Sequence, residues 1–179
     1  MKKYLLMLLC TAIAVPSLGQ TVRGPRYRGF VDGTYMKGND GYYQSMNMHS
    51  WGLSTTHGCQ FNSHIFVGGG LAYYHLKGEK DLRSYGDDYG CDVVPVYSDL
   101  RVQMSESRVS PFFDLKLGYT ISKYAGFIAS PSFGVRIGTD KRHGINLTVG
   151  YTALSGGCLY DDGKCYYTHQ LSLSIGFDF

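Results

Sequence analysis

The chain has 179 residues, of which 17 are basic and 14 acidic, so its formal net charge is only +3. A charge so close to balance gives no reason to expect a nucleic-acid partner. Glycine (24), tyrosine (16) and phenylalanine (9) are abundant and proline (5) is scarce, a composition typical of an all-β domain rich in turns and aromatic side chains. The length suits one domain.

The first 19 residues have the pattern of a secretory signal peptide. A basic head of two lysines precedes a mostly apolar run over residues 4–15, and small residues follow at Ser17 and Gly19. The alternative is a membrane anchor, but the run is shorter than the roughly 20 residues of a spanning helix. We expect cleavage after Gly19 and an exported domain over residues 20–179.

Beyond the signal peptide, apolar and polar residues alternate with a period of two, and no helical period persists. The alternation predicts eight strands, over approximately Tyr27–Lys37, Met48–Phe61, His64–Gly78, Asp92–Met104, Ser110–Ser122, Gly126–Gly138, Gly144–Ser155 and Thr168–Phe179.

The predicted connections differ in length between the two ends of the strands. Short turns join strands two and three, four and five, and six and seven, whereas long polar segments occupy residues 37–47, 79–91 and 156–167. The short connection at residues 123–125 departs from this pattern. An even number of strands lets the eighth pair with the first, which predicts an antiparallel up-and-down barrel without free edges.

Charged and apolar residues occupy opposite faces of the predicted strands. On strand five, Phe113, Leu115 and Leu117 share one face, and Asp114 and Lys116 lie on the other. Buried ions without partners are expensive, so these charges do not suit the apolar core of a soluble barrel. The pattern instead predicts a transmembrane barrel whose apolar faces meet lipid and whose charged faces turn inward.

We expect the inward charges to neutralise one another as a structural network, because the interior of an eight-stranded barrel is just wide enough for side chains to fill. The alternative is a charged conduction path. The predicted network contains Asp32, Asp99, Arg101, Asp114, Lys116, Arg136 and Asp178.

Aromatic residues lie near both ends of the predicted strands, as in barrels that cross two lipid interfaces. The set toward the long loops is Tyr35, Trp51, Tyr73, Phe127 and Tyr151. The set toward the short turns is Tyr27, Phe61, Phe66, Phe112 and Phe179. The alternative is an ordinary aromatic core in a soluble protein.

The last strand carries a pattern found in a known class of proteins. Apolar residues occupy every second position up to a terminal phenylalanine, at Leu171, Leu173, Ile175, Phe177 and Phe179. This pattern resembles the C-terminal strand of Gram-negative outer-membrane β-barrels, and the resemblance implies that the strand is the signal recognised by the barrel-assembly machinery. Over the whole mature chain the pattern is similar to small porin-like barrels of the OmpX and OmpA-membrane-domain type.

Two stretches, residues 56–62 and 67–71, resemble uncharacterised small outer-membrane barrels of Bacteroides-like bacteria. The resemblances imply a location in the bacterial outer membrane, with outer-membrane lipid, lipopolysaccharide and the assembly machinery as partners. We expect a monomer without a cofactor or a nucleic-acid partner.

Four cysteines remain after removal of the signal peptide, and an oxidising envelope favours their pairing. Cys59 is predicted at the short-turn end, away from the others, and an apolar band about 25 Å tall is too long for a disulfide, whose Cα atoms lie within about 7 Å. We expect a disulfide between Cys158 and Cys165 in one long loop, with Cys91 able to replace either partner. A metal site is not indicated, since no CxxC spacing occurs.

No constellation of catalytic residues stands out. Barrel enzymes that deacylate lipid A are marked by a His-x-Ser pair on one strand face. No histidine of this chain is followed by serine two residues later, and the six considered are His49, His57, His64, His75, His143 and His169. We expect these to be turn or interface residues. Palmitoyl-transferring barrels need room for an acyl chain, which a charged interior does not offer, and no nucleophile or phosphate loop is present. The sequence predicts no catalysis.

The long loops offer the remaining functional signal. Residues 79–90 and 160–164 mix charge with tyrosine and glycine, a composition that suits recognition of a host or surface ligand and equally suits plain solvated cover. The favoured function is therefore structural or surface-interacting. The alternatives are a narrow pore or lipid-modifying enzyme, and a secreted lipocalin-like carrier, whose interior should be apolar.

Overall fold

The computed structural model describes residues 24–40, 47–79, 89–121, 126–139, 143–155 and 167–179. The signal peptide prediction and the cysteine pair Cys158 and Cys165 lie outside these ranges. No helix long and apolar enough to cross a membrane occurs among the described residues. The strands are β1 (Arg26–Asp40), β2 (Asn47–Gln60), β3 (Ile65–Glu79), β4 (Tyr89–Val93), β5 (Pro95–Gln103), β6 (Val109–Thr120), β7 (Gly126–Gly138), β8 (Gly144–Ser155) and β9 (Tyr167–Asp178).

These strands form one closed antiparallel barrel. Successive strands of the chain pair with each other, except β4 with β5, and β9 returns to pair with β1 from Phe30↔Asp178 to Asp40↔Thr168. β4 and β5 both pair with β3 and together make one wall strand, so the barrel has eight strands around its circumference. The structure confirms the predicted fold class.

The fourth wall strand differs from its prediction. It begins at Tyr89 rather than Asp92 and is interrupted at Val94, before Pro95. Proline has no N–H to donate, which weakens the ladder at this point. Cys91, expected in a loop, therefore lies within β4. Cross-strand pairing provides hydrogen bonds for the backbone whatever the side chains are. Strands therefore extend into segments whose sequence resembles that of a loop.

The two faces of the wall are inverted relative to a soluble barrel. On β9, Leu171 is 69% exposed and Ile175 is 61% exposed, whereas the penultimate residue Asp178 is 0% exposed. The same alternation places Leu147 and Val149 of β8 outward. A continuous exposed apolar surface of this kind needs a lipid environment.

Most of the predicted aromatic residues lie on the outward surface, with two exceptions. Phe66 and Phe112 are buried inside the barrel rather than at the lipid interface. Their positions share the inward side of β3 and β6 with glycine and charged residues, so strand parity decides their location and proximity to a strand end does not.

The seam between the first and last strands closes around a glycine. Gly29 and Phe179 exchange two backbone hydrogen bonds, with N···O distances of 2.9 and 3.0 Å. The phenyl ring of Phe179 lies over Gly29, where an added Cβ atom would be 2.7 Å from the ring. The small residue therefore allows the terminal ring to lie flat against the barrel wall.

Candidate functional site in the barrel interior

A network of hydrogen bonds crosses the interior at the short-turn end. Asp178 accepts hydrogen bonds from Arg28 Nη2 at 2.7 Å, from Arg136 Nη2 at 3.0 Å and from Asn146 Nδ2 at 3.2 Å. Arg28 Nη1 also donates to Gln60 and Gln103, each at 2.9 Å. We call these six residues the basal plate. It joins six strands across the lumen, since each residue comes from a different strand.

An arginine held between two aromatic rings lies above the basal plate. The Arg101 guanidinium carbon is 4.0 Å from the centre of the Phe30 ring and 4.4 Å from that of Phe112. Arg101 Nε donates to Asp114 at 3.1 Å, and both side chains are buried. Phe66 packs edge-on against Phe30 with their ring centres 4.9 Å apart. Rings and an ion pair together fill this cross-section of the barrel.

A further ion pair spans the middle of the barrel. Lys116 Nζ of β6 donates to Asp32 Oδ2 of β1 at 3.2 Å, and the ammonium nitrogen lies 5.4 Å from the centre of the Tyr97 ring. The Tyr97 hydroxyl is hydrogen-bonded to that of Thr56 at 2.9 Å. The contact brings together strands that are not neighbours in the barrel wall.

The structure places all seven residues of the predicted network inside the barrel. Six of them form ion pairs, and Asp99 is 1% exposed with no hydrogen-bond donor for its carboxylate among the described residues. Arg28 was not predicted, although it shares the inward face of β1 with Asp32. With Arg28 included, four aspartates face four basic side chains in the described interior.

The interior toward the long loops holds apolar side chains beside uncharged polar ones such as Ser50, Thr152 and Gln170. A buried cluster there contains Met36, Met48, Ala72, Tyr74, Leu76, Val93, Tyr97, Ile128 and Leu154, with Cys91 packed against it. We call this the upper cluster. Its residues come from six of the eight wall strands. No prediction from the sequence separated this region from the charged half, because both use the inward positions of the same strands.

The histidines face outward or lie in turns, where they contact aromatic side chains. Ring nitrogens of three histidines lie within hydrogen-bonding distance of tyrosine hydroxyls, in the pairs Tyr27–His57 (2.5 Å), Tyr35–His49 (2.7 Å) and Tyr151–His169 (2.6 Å). His75 bonds Asp92 at 2.7 Å, His143 stacks on Phe177, and His64 contacts Ser63 in the turn before β3. Tyrosine beside histidine at an interface keeps both polar groups bonded near lipid.

Solved structures show the same architecture. The chain is similar to Neisserial surface protein A, with 11% identity, coverage of 87% of this chain and 98% of that one, and a TM-score of 0.58. It is also similar to the outer membrane protein OprG from Pseudomonas aeruginosa, with 13% identity, coverage of 87% and 94%, and a TM-score of 0.53. Likenesses at these identities establish the fold.

The comparisons and the lipid-facing surface together define the class. The chain forms a small eight-stranded β-barrel of the bacterial outer-membrane type. No protein-family model and no curated protein matches it. The resemblance to barrels of Bacteroides-like bacteria therefore stays a prediction, as does the assembly-signal role of the last strand.

Proposed function

We propose that this protein is a closed, non-catalytic outer-membrane barrel with a structural or surface-interaction role exercised through its outer surface and long loops. The observation that supports this function is the filled interior. The basal plate, the Arg101 layer and the Lys116–Asp32 pair occupy successive levels of the lumen. Ions passing through would have to displace buried pairs, which is costly.

The arrangement of the polar side chains supports a non-catalytic role. The inward carboxylates of Asp32, Asp114 and Asp178 are bonded to arginine, lysine or asparagine. The described histidines contact outward rings or turn residues, and His75 also bonds the outward carboxylate of Asp92. Acid–base or nucleophilic catalysis needs such groups within hydrogen-bonding reach of one another around a substrate space. The upper cluster fills the interior at the other end with packed apolar side chains.

Conductance in planar bilayers tests whether the lumen is closed. We expect no stepwise currents from the purified barrel. A variant with Arg28→Ser and Arg101→Ser removes two of the filling side chains and shows whether the assay detects an opened barrel. In each sample, a shift in gel mobility between unboiled and boiled protein establishes that the barrel is folded. Reproducible unit currents from the folded wild-type barrel would contradict the proposal.

Mass spectrometry of lipid A tests the non-catalytic role. We expect the same acyl and phosphate content in cells with and without the protein. A protein-dependent gain or loss of an acyl chain would overturn this part of the proposal.

Replacing the long loops separates a structural role from a surface role. Residues 41–46, 80–88 and 156–166 would be exchanged for Gly-Ser segments of equal length, and detergent resistance of a deletion strain would be measured after complementation. Full rescue by the loop-replaced barrel indicates a structural role. Rescue by the wild-type chain alone indicates interactions made by the loops. No rescue by either chain would contradict both.

A further inference from the structure

Asp99 lies inside the barrel on β5 without a hydrogen-bond donor among the described residues. The residue is 1% exposed, and each of its carboxyl oxygens exposes less than 1 Å². An ionised carboxylate in this position would give up its hydration without any bond in return, which is costly. A water molecule or a metal ion would need exposed surface on one of these oxygens. The carboxyl group therefore needs compensation by something smaller than a water molecule.

The two cations that share the inward faces of β5 and β6 with Asp99 bond other carboxylates. Arg101 donates through Nε to Asp114 at 3.1 Å, and its buried Nη1 has no acceptor among the described residues. Lys116 lies opposite Asp99 in the β5–β6 ladder but donates to Asp32 of β1 at 3.2 Å. These two cations therefore leave Asp99 without a direct ion pair.

The neighbours of Asp99 on β3 and further along β5 are uncharged. Gly68 of β3 lies opposite Asp99 in the other ladder, and an added Cβ atom on Gly68 would be 2.6 Å from the Phe66 ring. Tyr97, two residues before Asp99, has its hydroxyl group hydrogen-bonded to that of Thr56 at 2.9 Å. These neighbours supply neither a charge nor a donor to the Asp99 carboxyl group.

The carboxyl groups of Asp99 and Asp114 are in hydrogen-bonding contact with each other. Two ionised carboxylates offer only acceptors and repel each other, so this contact needs a proton. The charges at this level lead to the same conclusion, because three aspartates, Asp32 among them, face only Arg101 and Lys116. One proton removes the excess negative charge and supplies the missing donor.

We propose that Asp99 and Asp114 hold one proton between them at neutral pH, with Asp99 as the neutral acid that donates its O–H to the Asp114 carboxylate. Asp114 then accepts from both Asp99 and Arg101, as a strong charge-assisted bond requires. Loss of the proton at higher pH places two carboxylates in contact inside the barrel. The pair is thus a pH-sensitive link between β5 and β6. It goes beyond the proposed function, since it does not depend on what the loops bind.

Infrared spectroscopy detects the proton directly, because the carbonyl stretch of a carboxylic acid is separate from the stretches of a carboxylate. The purified barrel is measured at neutral pH in a detergent that contains no carbonyl group. We expect an acid band in the wild-type protein and its loss in Asp99→Asn. The matched control is Asp178→Asn, which removes an inward carboxylate held between two arginines and should keep the band. A wild-type spectrum without the band, or a band that Asp99→Asn retains, would overturn the proposal.

Urea unfolding of the barrel in lipid vesicles at several pH values gives a second test. The unfolded chain releases an aspartate proton above about pH 4, whereas the folded barrel keeps that of Asp99, so the stability that the proton contributes is lost as the pH rises. Relative to Asp99→Asn, the unfolding equilibrium constant of the wild-type protein should rise about 10-fold per pH unit between about pH 5 and about pH 7. The ratio of wild type to Asp178→Asn should stay constant over this range. A constant ratio of wild type to Asp99→Asn would contradict the shared proton.

A shift in gel mobility between unboiled and boiled samples establishes that each barrel is folded. If Asp99→Asn does not fold, the spectrum of the wild-type protein decides alone, since the acid band is present only if a carboxyl group keeps its proton at neutral pH. Bilayer currents or changes in lipid A bear on the proposed function and leave both readouts of the proton unaffected, so the two proposals can fail separately.

Discussion

The two halves of the barrel interior are built on different physical principles. Toward the short turns, the basal plate and the Arg101–Asp114 pair hold the strands together with directional bonds between buried charges. Toward the long loops, the upper cluster uses apolar side chains such as Met48 and Leu76, which pack without directional requirements. The same barrel wall therefore encloses one half that requires particular side-chain partners and one half in which apolar side chains can be exchanged.

This difference between the two halves decides where the barrel tolerates amino-acid substitutions. A buried ion pair contributes little net stability compared with apolar packing, yet the loss of one partner is costly, since it leaves a charge uncompensated. Apolar packing loses stability roughly in proportion to the volume removed. The short-turn end, where β1 begins and β9 ends, is thus the half that depends on particular residues, and the long-loop end is the half that accepts variation beneath the loops.

The largest effect is expected at the basal plate. Asp178→Ala leaves Arg28 and Arg136 without their carboxylate and should lower the free energy of unfolding by about 3–5 kcal/mol. Urea unfolding of the refolded barrel in lipid vesicles, followed by the fluorescence of Trp51, the single tryptophan, measures it. Asp178→Asn, which keeps an acceptor oxygen, should lose less. If Asp178→Ala unfolds at the wild-type urea concentration, the basal plate does not hold the barrel together.

In the upper cluster, the free energy of unfolding should depend on the volume of a side chain and little on its exact shape. Leu76→Ala should cost about 2–5 kcal/mol, and Leu76→Met, which conserves volume, less than about 1.5 kcal/mol. The same urea titration compares the two variants. A methionine variant as unstable as the alanine variant would show that this half also requires a specific fit.

The Lys116–Asp32 pair offers a double-mutant cycle across the middle of the barrel. Lys116→Met and Asp32→Leu should each destabilise, and the double variant should recover part of the loss, with a coupling of about 0.5–3 kcal/mol. Recovery is expected because apolar residues of similar size replace a buried pair at little cost. Strictly additive losses in the unfolding free energies would indicate that the two groups do not interact.

The smallest effect is expected on the outer surface. Tyr151→Phe removes an exposed hydroxyl bonded to His169 and should change the unfolding free energy by less than about 1 kcal/mol. Tyr97→Phe is its matched partner, because the lumenal hydroxyl of Tyr97 bonds buried Thr56, and should cost about 1–3 kcal/mol. Equal losses from the two variants would show that burial does not distinguish inward from outward hydrogen bonds in this barrel.

Residue alternation predicted which side chains face inward, because a strand turns successive side chains to opposite faces wherever it lies. In the structure Asp32, Asp99 and Lys116 lie inside the barrel, on the face that this alternation gives them. Arg28 could have been found by the same rule, since it lies four residues before Asp32 on the same face. The interruption at Val94 was signalled only by the proline that follows it.

The sequence by itself determined the barrel class, the outward apolar surface and the inward charges, since these follow from a local period of two and a requirement to avoid unpaired ions. Only the tertiary structure decided which charges meet. Arg28 bonds residues 32, 75 and 150 positions away, and Lys116 reaches Asp32 across the lumen. The division into a half with ion pairs and a half with the upper cluster likewise depends on the register between strands, which brings inward residues of distant segments to the same level of the barrel.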